Sequence, residues 1–340
     1  MIWYKTSKND DPYNELWSRE EWLYPIENAD KMSFPLVVTV EPTNACQNNC
    51  LYCSRSIMNR ETGYLKLGIM EKIAKESSEN NAAIRHGGFG EPLLHPNIVD
   101  IIARCKKHNV LTTIFSNCKP LTDDMMKAFV DLGLDEIRFS SSGITPEEHN
   151  KIRVNSDYYG DFHNKLIRMF EIREKLNAKK PYLTLYTNVM DYDSNTFTEN
   201  IEQYKNEYIQ YADKIDIDLT MLSRVKELDR VKDLYVNQTI LEEYKRCTTL
   251  FLKVIVQWNG DIFGCDCVYN YEPDFHIGNI CNTGSAIKRG YNSQKMHKLR
   301  KELSFNINHD KYKLCSCCYS NTDKWNKVTT NNIQSLQSAV

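Results

Sequence analysis

From Pro35 onward the chain alternates short apolar runs with stretches of helical spacing. The run LVVTVEP (36–42) is apolar and β-branched, as a strand buried on both faces of a parallel sheet should be. Helical spacing at 66–78 leads to a strand at 82–87, a helix at 97–108 and a strand at 110–116. A helix at 122–132, a strand at 135–140 and one long helix from Pro146 continue the series. A strand at 181–189, a helix near 195–211 and a strand at 214–222 complete it. Six strands with helices between them predict a parallel sheet, curved or closed, whose functional loops sit at the carboxyl ends of the strands. Beyond a charged connector at 223–245, the segment LKVIVQ-WNGD-IFGC reads as a hairpin turning at Asn259-Gly260. The segment 293–303 reads as a helix. Residues 1–34, with Trp3, Tyr4, Trp17, Trp22 and Tyr24, read as an aromatic-rich arm over the main domain.

Composition adds exclusions. With 340 residues, 41% of them hydrophobic, the chain can bury a full core. Its formal charge of −2 gives no general nucleic-acid or membrane surface. No apolar run reaches the roughly 18 residues of a membrane helix, and the start MIWYKTSKNDDP is mixed and polar, so a cytoplasmic protein is expected.

The cysteines change the picture most. There are twelve, and they cluster: Cys46, Cys50 and Cys53 early, seven more between Cys247 and Cys318. Cys105 and Cys118 fall outside both groups and read as small buried hydrophobes. In EPTNACQNNCLYCSR, three thiolates within eight residues can wrap one corner of a cubane cluster. The fourth iron then stays open for a small molecule. Zinc would want a fourth ligand, and none is near.

The loop Cys46-x3-Cys50-x2-Cys53, with Tyr52 before the third cysteine, resembles the signature of the radical S-adenosylmethionine (SAM) superfamily. The resemblance extends to HGGFGEPLLHPN, where Gly90, Glu91 and Pro92 match the family's GGE-type motif, with Phe89 replacing the first glycine. It implies that Gly90 and Glu91 hold the SAM amino group. A glycine permits close backbone approach and a carboxylate pairs with an ammonium. It also places Asn117 and Ser140, Ser141 and Ser142 near the SAM carboxylate and ribose. Each of these is equally readable as a turn residue bonding its own backbone.

The later cysteines resemble the shortened "twitch" form of the SPASM extension. The resemblance implies an auxiliary [4Fe–4S] cluster on Cys247, Cys265, Cys315 and Cys318, with a structural zinc as the rival. Cys267 stands two residues past a presumed ligand, on a face of the hairpin that could look into the barrel, while Cys281 and Cys317 are left over. The expected fold is thus α/β: a partial (β/α)6 TIM-like barrel at 35–225 with a small C-terminal twitch iron-sulfur domain at 246–326. A linker helix at 226–245 joins them, and a polar tail fills 327–340.

Across roughly 36–325 the chain resembles the superfamily's dehydrogenases that oxidise 2-deoxy-scyllo-inosamine. FGEPLL, the spacing from Cys247 to Cys265 and the terminal CxxC carry that likeness. It implies a hydroxyl-rich sugar or aminocyclitol substrate, a flavodoxin- or ferredoxin-type electron donor, and Arg224 as base toward the substrate hydroxyl. Read from the residues alone, Arg224 is a solvent-exposed charge. Related epimerases suggest instead that the Cys267 thiol returns hydrogen to the carbon. Peptide maturation is a third reading, and a non-catalytic metal scaffold a fourth.

Overall fold

A computed structural model describes residues 2–7, 10–189, 197–219, 247–282, 284–304 and 311–316. Its strands are β1 (Ile2–Ser7), β2 (Val37–Val40), β3 (Ala83–His86), β4 (Thr112–Ser116), β5 (Glu136–Ser142), β6 (Tyr182–Val189), β7 (Lys214–Leu219), β8 (Lys253–Val256), β9 (Asp261–Phe263) and β10 (His276–Asn279). All ten join one sheet in the order β1-β7-β6-β5-β4-β3-β2-β8-β9-β10. Strands β2 to β7 are parallel and lie side by side in chain order. Each crossover therefore steps the same way, which puts the helices on one face and leaves the other as the inside of a partial barrel.

Side chains alternate between those faces. Ile84, Ile114, Ile137, Phe139, Leu183, Leu185, Ile215 and Ile217 are fully buried in the continuous core. The helices Leu67–Glu79, Ile98–Lys107, Asp123–Asp131, Asn164–Lys175 and Phe197–Tyr208 connect the strands. The intervening positions are polar: Arg85, Thr113, Glu136, Arg138, Thr184, Lys214 and Asp216. Cys105 and Cys118 are fully buried, as their contexts predict.

Both edges of the parallel sheet are extended. On one side β8 pairs in parallel with β2, from Val37 opposite Lys253 to Val40 opposite Val256. The hairpin expected at Asn259-Gly260 is present, with β8 and β9 antiparallel and Gly260 at φ +90°. On the other side the N-terminal arm adds β1 antiparallel to β7.

One expectation fails. The long helix from Pro146 is two helices, Pro146–Ile152 and Asn164–Lys175, separated by a loop and a π-helical turn at Tyr158–His163. A full capping box of Thr145 and Glu148 starts the first helix. Its end is set by the polar run after Arg153. Asn155 takes a left-handed φ of +67°, and the Asp157 carboxylate accepts from the Gly160 amide at 2.6 Å. The break frees Arg153 from the helix and puts it at the mouth of the barrel.

Candidate functional site

The first cysteine loop leaves β2 and is fastened on every side. Glu41, buried at the strand end, takes both guanidinium nitrogens of Arg60 at 2.8 Å, and Arg60 also donates to the Tyr269 carbonyl at 2.7 Å. The Asn44 side chain donates to the Glu61 carbonyl at 2.8 Å and accepts from the Gly63 amide at 2.9 Å. The Asn49 and Leu51 amides bond the carbonyls of Val154 and Ile152, so the loop hangs on the end of the broken helix.

Against it packs the Gly90-Glu91 segment after β3. The Glu91 amide donates to the Ala45 carbonyl at 2.8 Å. A Cβ on Gly90 would lie 2.0 Å from the Thr43 carbonyl oxygen, so only glycine permits this approach. The Glu91 carboxylate is buried and accepts from the Leu93 amide (3.0 Å), the Ser116 hydroxyl (2.7 Å) and the Asn117 amide (2.8 Å). Burial raises its pKa. With three of about four acceptor sites engaged, its first task is to tie the ends of β3 and β4 together. Asn117 then reaches the cysteines: its side chain accepts from Gln47 at 2.8 Å and donates to the Cys46 sulfur at 3.7 Å. Burial pushes the Cys46 thiol up to about 12.

Arg153 is the residue that sequence reasoning missed. It is buried and donates to the hydroxyls of Ser140 (2.6 Å), Ser142 (2.9 Å) and Tyr52 (3.3 Å), and to the Ser141 carbonyl (3.3 Å). Burial opposes its charge, but Tyr52, Cys50, Cys118 and Cys46 outweigh that and raise its pKa. No carboxylate pairs with it among the described residues. The polar run NSD after it was the available signal of a helix end. Ser141 points the other way, into bonds with Thr187 and Tyr204.

The second group gathers Cys247, Cys265, Cys267 and Cys315. Cys265, Asp266 and Cys267 bring their ligand atoms within 4.8 Å of one another, and the Cys267 amide donates to the Cys265 sulfur at 3.4 Å. Burial pushes the Cys247 thiol up to about 11, and Cys267 adds to the effect. Burial also raises Cys315, with Cys247 and Cys267 contributing. Cys267 thus lies among the other thiols, and its sulfur also donates to the Asp266 carboxylate at 3.8 Å, which in turn pairs with Arg85 of the lumen at 2.5 Å. Cys281 is exposed. Arg224, Cys317 and Cys318 lie outside the described residues.

Residues 40–166 match the radical SAM superfamily, and residues 247–319 match SPASM, an iron-sulfur cluster-binding domain. The chain carries a radical SAM domain followed by a SPASM domain. Among curated proteins it is similar to a tungsten-containing aldehyde ferredoxin oxidoreductase cofactor-modifying protein of Pyrococcus furiosus (25% identity; 59% of this chain, 55% of the relative). It is also similar to a PqqA peptide cyclase of Methylocella silvestris (26% identity; 40% of this chain, 36% of the relative). The chain thus spans about half or less of the length of these relatives. Its fold is that of BtrN, solved with AdoMet and 2-DOIA (17% identity, TM-score 0.56, 84% of this chain and 92% of that one). Streptococcus suis SuiB bound to S-adenosylmethionine is alike as well (14% identity, TM-score 0.56, 93% and 79%).

The two domains make [4Fe–4S] clusters the cofactors of this chain, and the spacing of the three-cysteine loop fits one of them. Tetrahedral zinc with its 2.3 Å Zn–S bonds would draw thiols to about 3.8 Å from each other. Cys46, Cys50 and Cys53 do not close into a set within 4.8 Å, whereas the corners of a larger cubane need that wider spacing. Buried atoms of the same loop, Gln47 Oε1 and both side-chain polar atoms of Asn48, have no hydrogen-bond partner among the described residues. Among the described residues no helix is long and apolar enough to cross a membrane.

Below Ser140 the lumen holds a cavity of about 290 Å³. Arg85, Glu136, Arg138, Lys214, Asp216 and Lys253 line it with Phe115, and Tyr13, Trp17 and Trp22 of the arm close its amino end. The arm is anchored by an Asp11–Lys214 ion pair at 2.8 Å and a hydrogen bond between Tyr13 and Thr113. Sequence reasoning missed these residues too. Their signal was the polar alternation within DEIRFS, TLYTN and KIDID, out of place in a sheet buried on both faces.

Proposed function

We propose that this chain is a radical SAM enzyme that cleaves SAM to a 5′-deoxyadenosyl radical, takes hydrogen from a carbon of a small polar group held in the lumen, and oxidises that carbon. The observation that carries the reading is the convergence of the three-cysteine loop, the Gly90-Glu91 junction and the carboxylate-free Arg153 at one end of the barrel. When bound, the two clusters supply the electron that splits SAM and a sink for the electron the substrate gives up.

The protein's part is binding and orientation. Arg153, held by Ser140, Ser142 and Tyr52, offers a protonated fork to the SAM carboxylate. Gly90 keeps its backbone close to the cysteine loop, and the remaining acceptor site on Glu91 faces the SAM ammonium. Cys247, Cys265, Cys315 and Cys318 hold the auxiliary cluster, and Arg224 donates to the substrate hydroxyl oxygen and eases its ionisation, the proton leaving to water. The charged lumen favours a small, polar reacting group over an apolar one. Peptide modification is the second reading, favoured by the likeness to a PqqA peptide cyclase. In it the lumen would receive one polar side chain of a longer substrate.

The test is anaerobic reconstitution, SAM and dithionite, and mass spectrometry of the nucleosides. 5′-Deoxyadenosine is expected. A reconstituted protein that forms none would overturn the reading.

A further inference from the structure

We infer that the amino end of the lumen is a pocket for a carboxylate on the substrate, received by Lys253. This deepens the proposed function, on which it rests for the word substrate; the binding itself stands on the cavity alone. Four cations and two carboxylates line the wall. Three of the cations are satisfied within the protein. Arg85 pairs with Asp266 at 2.5 Å and donates to Thr39 at 3.0 Å. Arg138 pairs with Glu136 at 2.9 Å and Asp216 at 3.6 Å, and Lys214 with Asp11 at 2.8 Å and Asp216 at 3.8 Å.

Lys253, the first residue of β8, is the exception. Its ammonium has no hydrogen bond or ion pair among the described residues, and it stands 5.9 Å from the centre of the Trp22 ring. Burial pulls its pKa down, with Asp266 opposing from beyond ion-pair distance. A desolvated ammonium facing a cavity is costly until an anion enters.

The wall also sets the class of anion. Glu136 and Asp216 repel a second negative charge, which selects a carboxylate over a phosphate dianion. Arg85 and Arg138 lie against the Phe115 ring at 5.3 and 4.9 Å and keep that side of the cavity cationic. A neutral sugar would leave the Lys253 charge uncompensated. A volume of about 290 Å³ suits one small acid or one acidic side chain. Those are two sources of the same chemistry, and the experiment separates them.

Trp17 and Trp22 line the cavity, so tryptophan emission of the reconstituted full chain reports its occupancy. The probes are two matched pairs: 4-hydroxybutyrate with 4-hydroxybutyramide, and the capped peptides Ala-Glu-Ala with Ala-Gln-Ala. At least one acid should shift the emission saturably, with its amide partner binding about tenfold or more weaker. Which acid responds identifies a free acid or a peptide as the source. Lys253→Met should weaken the acid about tenfold or more, and Lys253→Arg should retain it. Equal binding of acid and amide, unchanged binding in a folded Lys253→Met protein, or no saturable response to either acid at about 10 mM would each overturn the inference. Should Lys253→Met not fold, the acid–amide comparison on the unaltered protein decides. 5′-Deoxyadenosine is measured separately, so its loss with acid binding intact would sink the proposed function and leave the pocket standing.

Discussion

Replacing Arg153 by Met removes a buried cation at nearly constant length and tests its assignment to the SAM carboxylate. In the protein alone the guanidinium makes two short bonds, to Ser140 at 2.6 Å and Ser142 at 2.9 Å, and two longer ones, to Tyr52 and the Ser141 carbonyl at 3.3 Å. Loss of a hydrogen bond to a charged group is worth about 1.5–3 kcal/mol, so the SAM Kd should rise about ten- to a hundredfold. Stability should also fall by about 1–3 kcal/mol, because buried hydroxyls lose their donor. Ser142 and Tyr52, 3.4 Å apart, can still bond each other and soften that loss. Equilibrium dialysis of reconstituted protein against labelled SAM reads the first effect, and a thermal melt reads the second. Arg153→Lys separates charge from shape: it keeps the cation and loses the planar fork, so it should recover part of the affinity. A folded Arg153→Met protein that binds SAM as tightly as the unaltered one would refute the assignment.

Further outcomes follow from the same site. Replacing Cys46, Cys50 and Cys53 together by Ala should leave about four irons per chain and abolish 5′-deoxyadenosine formation; surviving SAM cleavage would break the assignment. That variant isolates the second site, where iron is expected, and one zinc without iron would hand it to the structural rival. Gly90→Ala, whose Cβ would meet the Thr43 carbonyl oxygen at 2.0 Å, should lower iron content by up to half, and full loading would show that the backbone gives way. Asp266→Asn should raise the reduction potential of the second site, because it removes a negative charge beside Cys265 and Cys267; an unmoved or lowered potential would contradict the placement. Cys267→Ala, assayed in light and heavy water, tests hydrogen return: solvent deuterium at an inverted carbon, lost in the variant, would replace oxidation by epimerisation.

What the sequence displayed and what it hid have a common physical origin. Ligand spacing and turn chemistry are local, so the Cys46–Cys53 loop, Glu91 after β3 and the Asn259-Gly260 hairpin were legible. Arg153 was hidden because capping and periodicity at Pro146 favour a helix whose end depends on a single run, Asn155-Ser156-Asp157. Cys267 was legible as a neighbour of a ligand, but the turn that holds it was not: Cys265 and Cys267 follow the end of β9, where the strand rule that residues two apart share a face lapses and the Cys267 amide folds back onto the Cys265 sulfur. The lumen needed the register of six strands, since Arg85, Arg138 and Asp216 become neighbours only when β3 to β7 are laid side by side. That register also joins two things the sequence keeps 181 positions apart: the Asp266 carboxylate, flanked by two thiols of the auxiliary group, and the Arg85 guanidinium on the lumen wall. A charge placed in the cavity is therefore felt at the auxiliary thiols through one ion pair. On the proposed function, this ion pair would link substrate occupancy to the electron acceptor by Coulomb's law, with no moving part required.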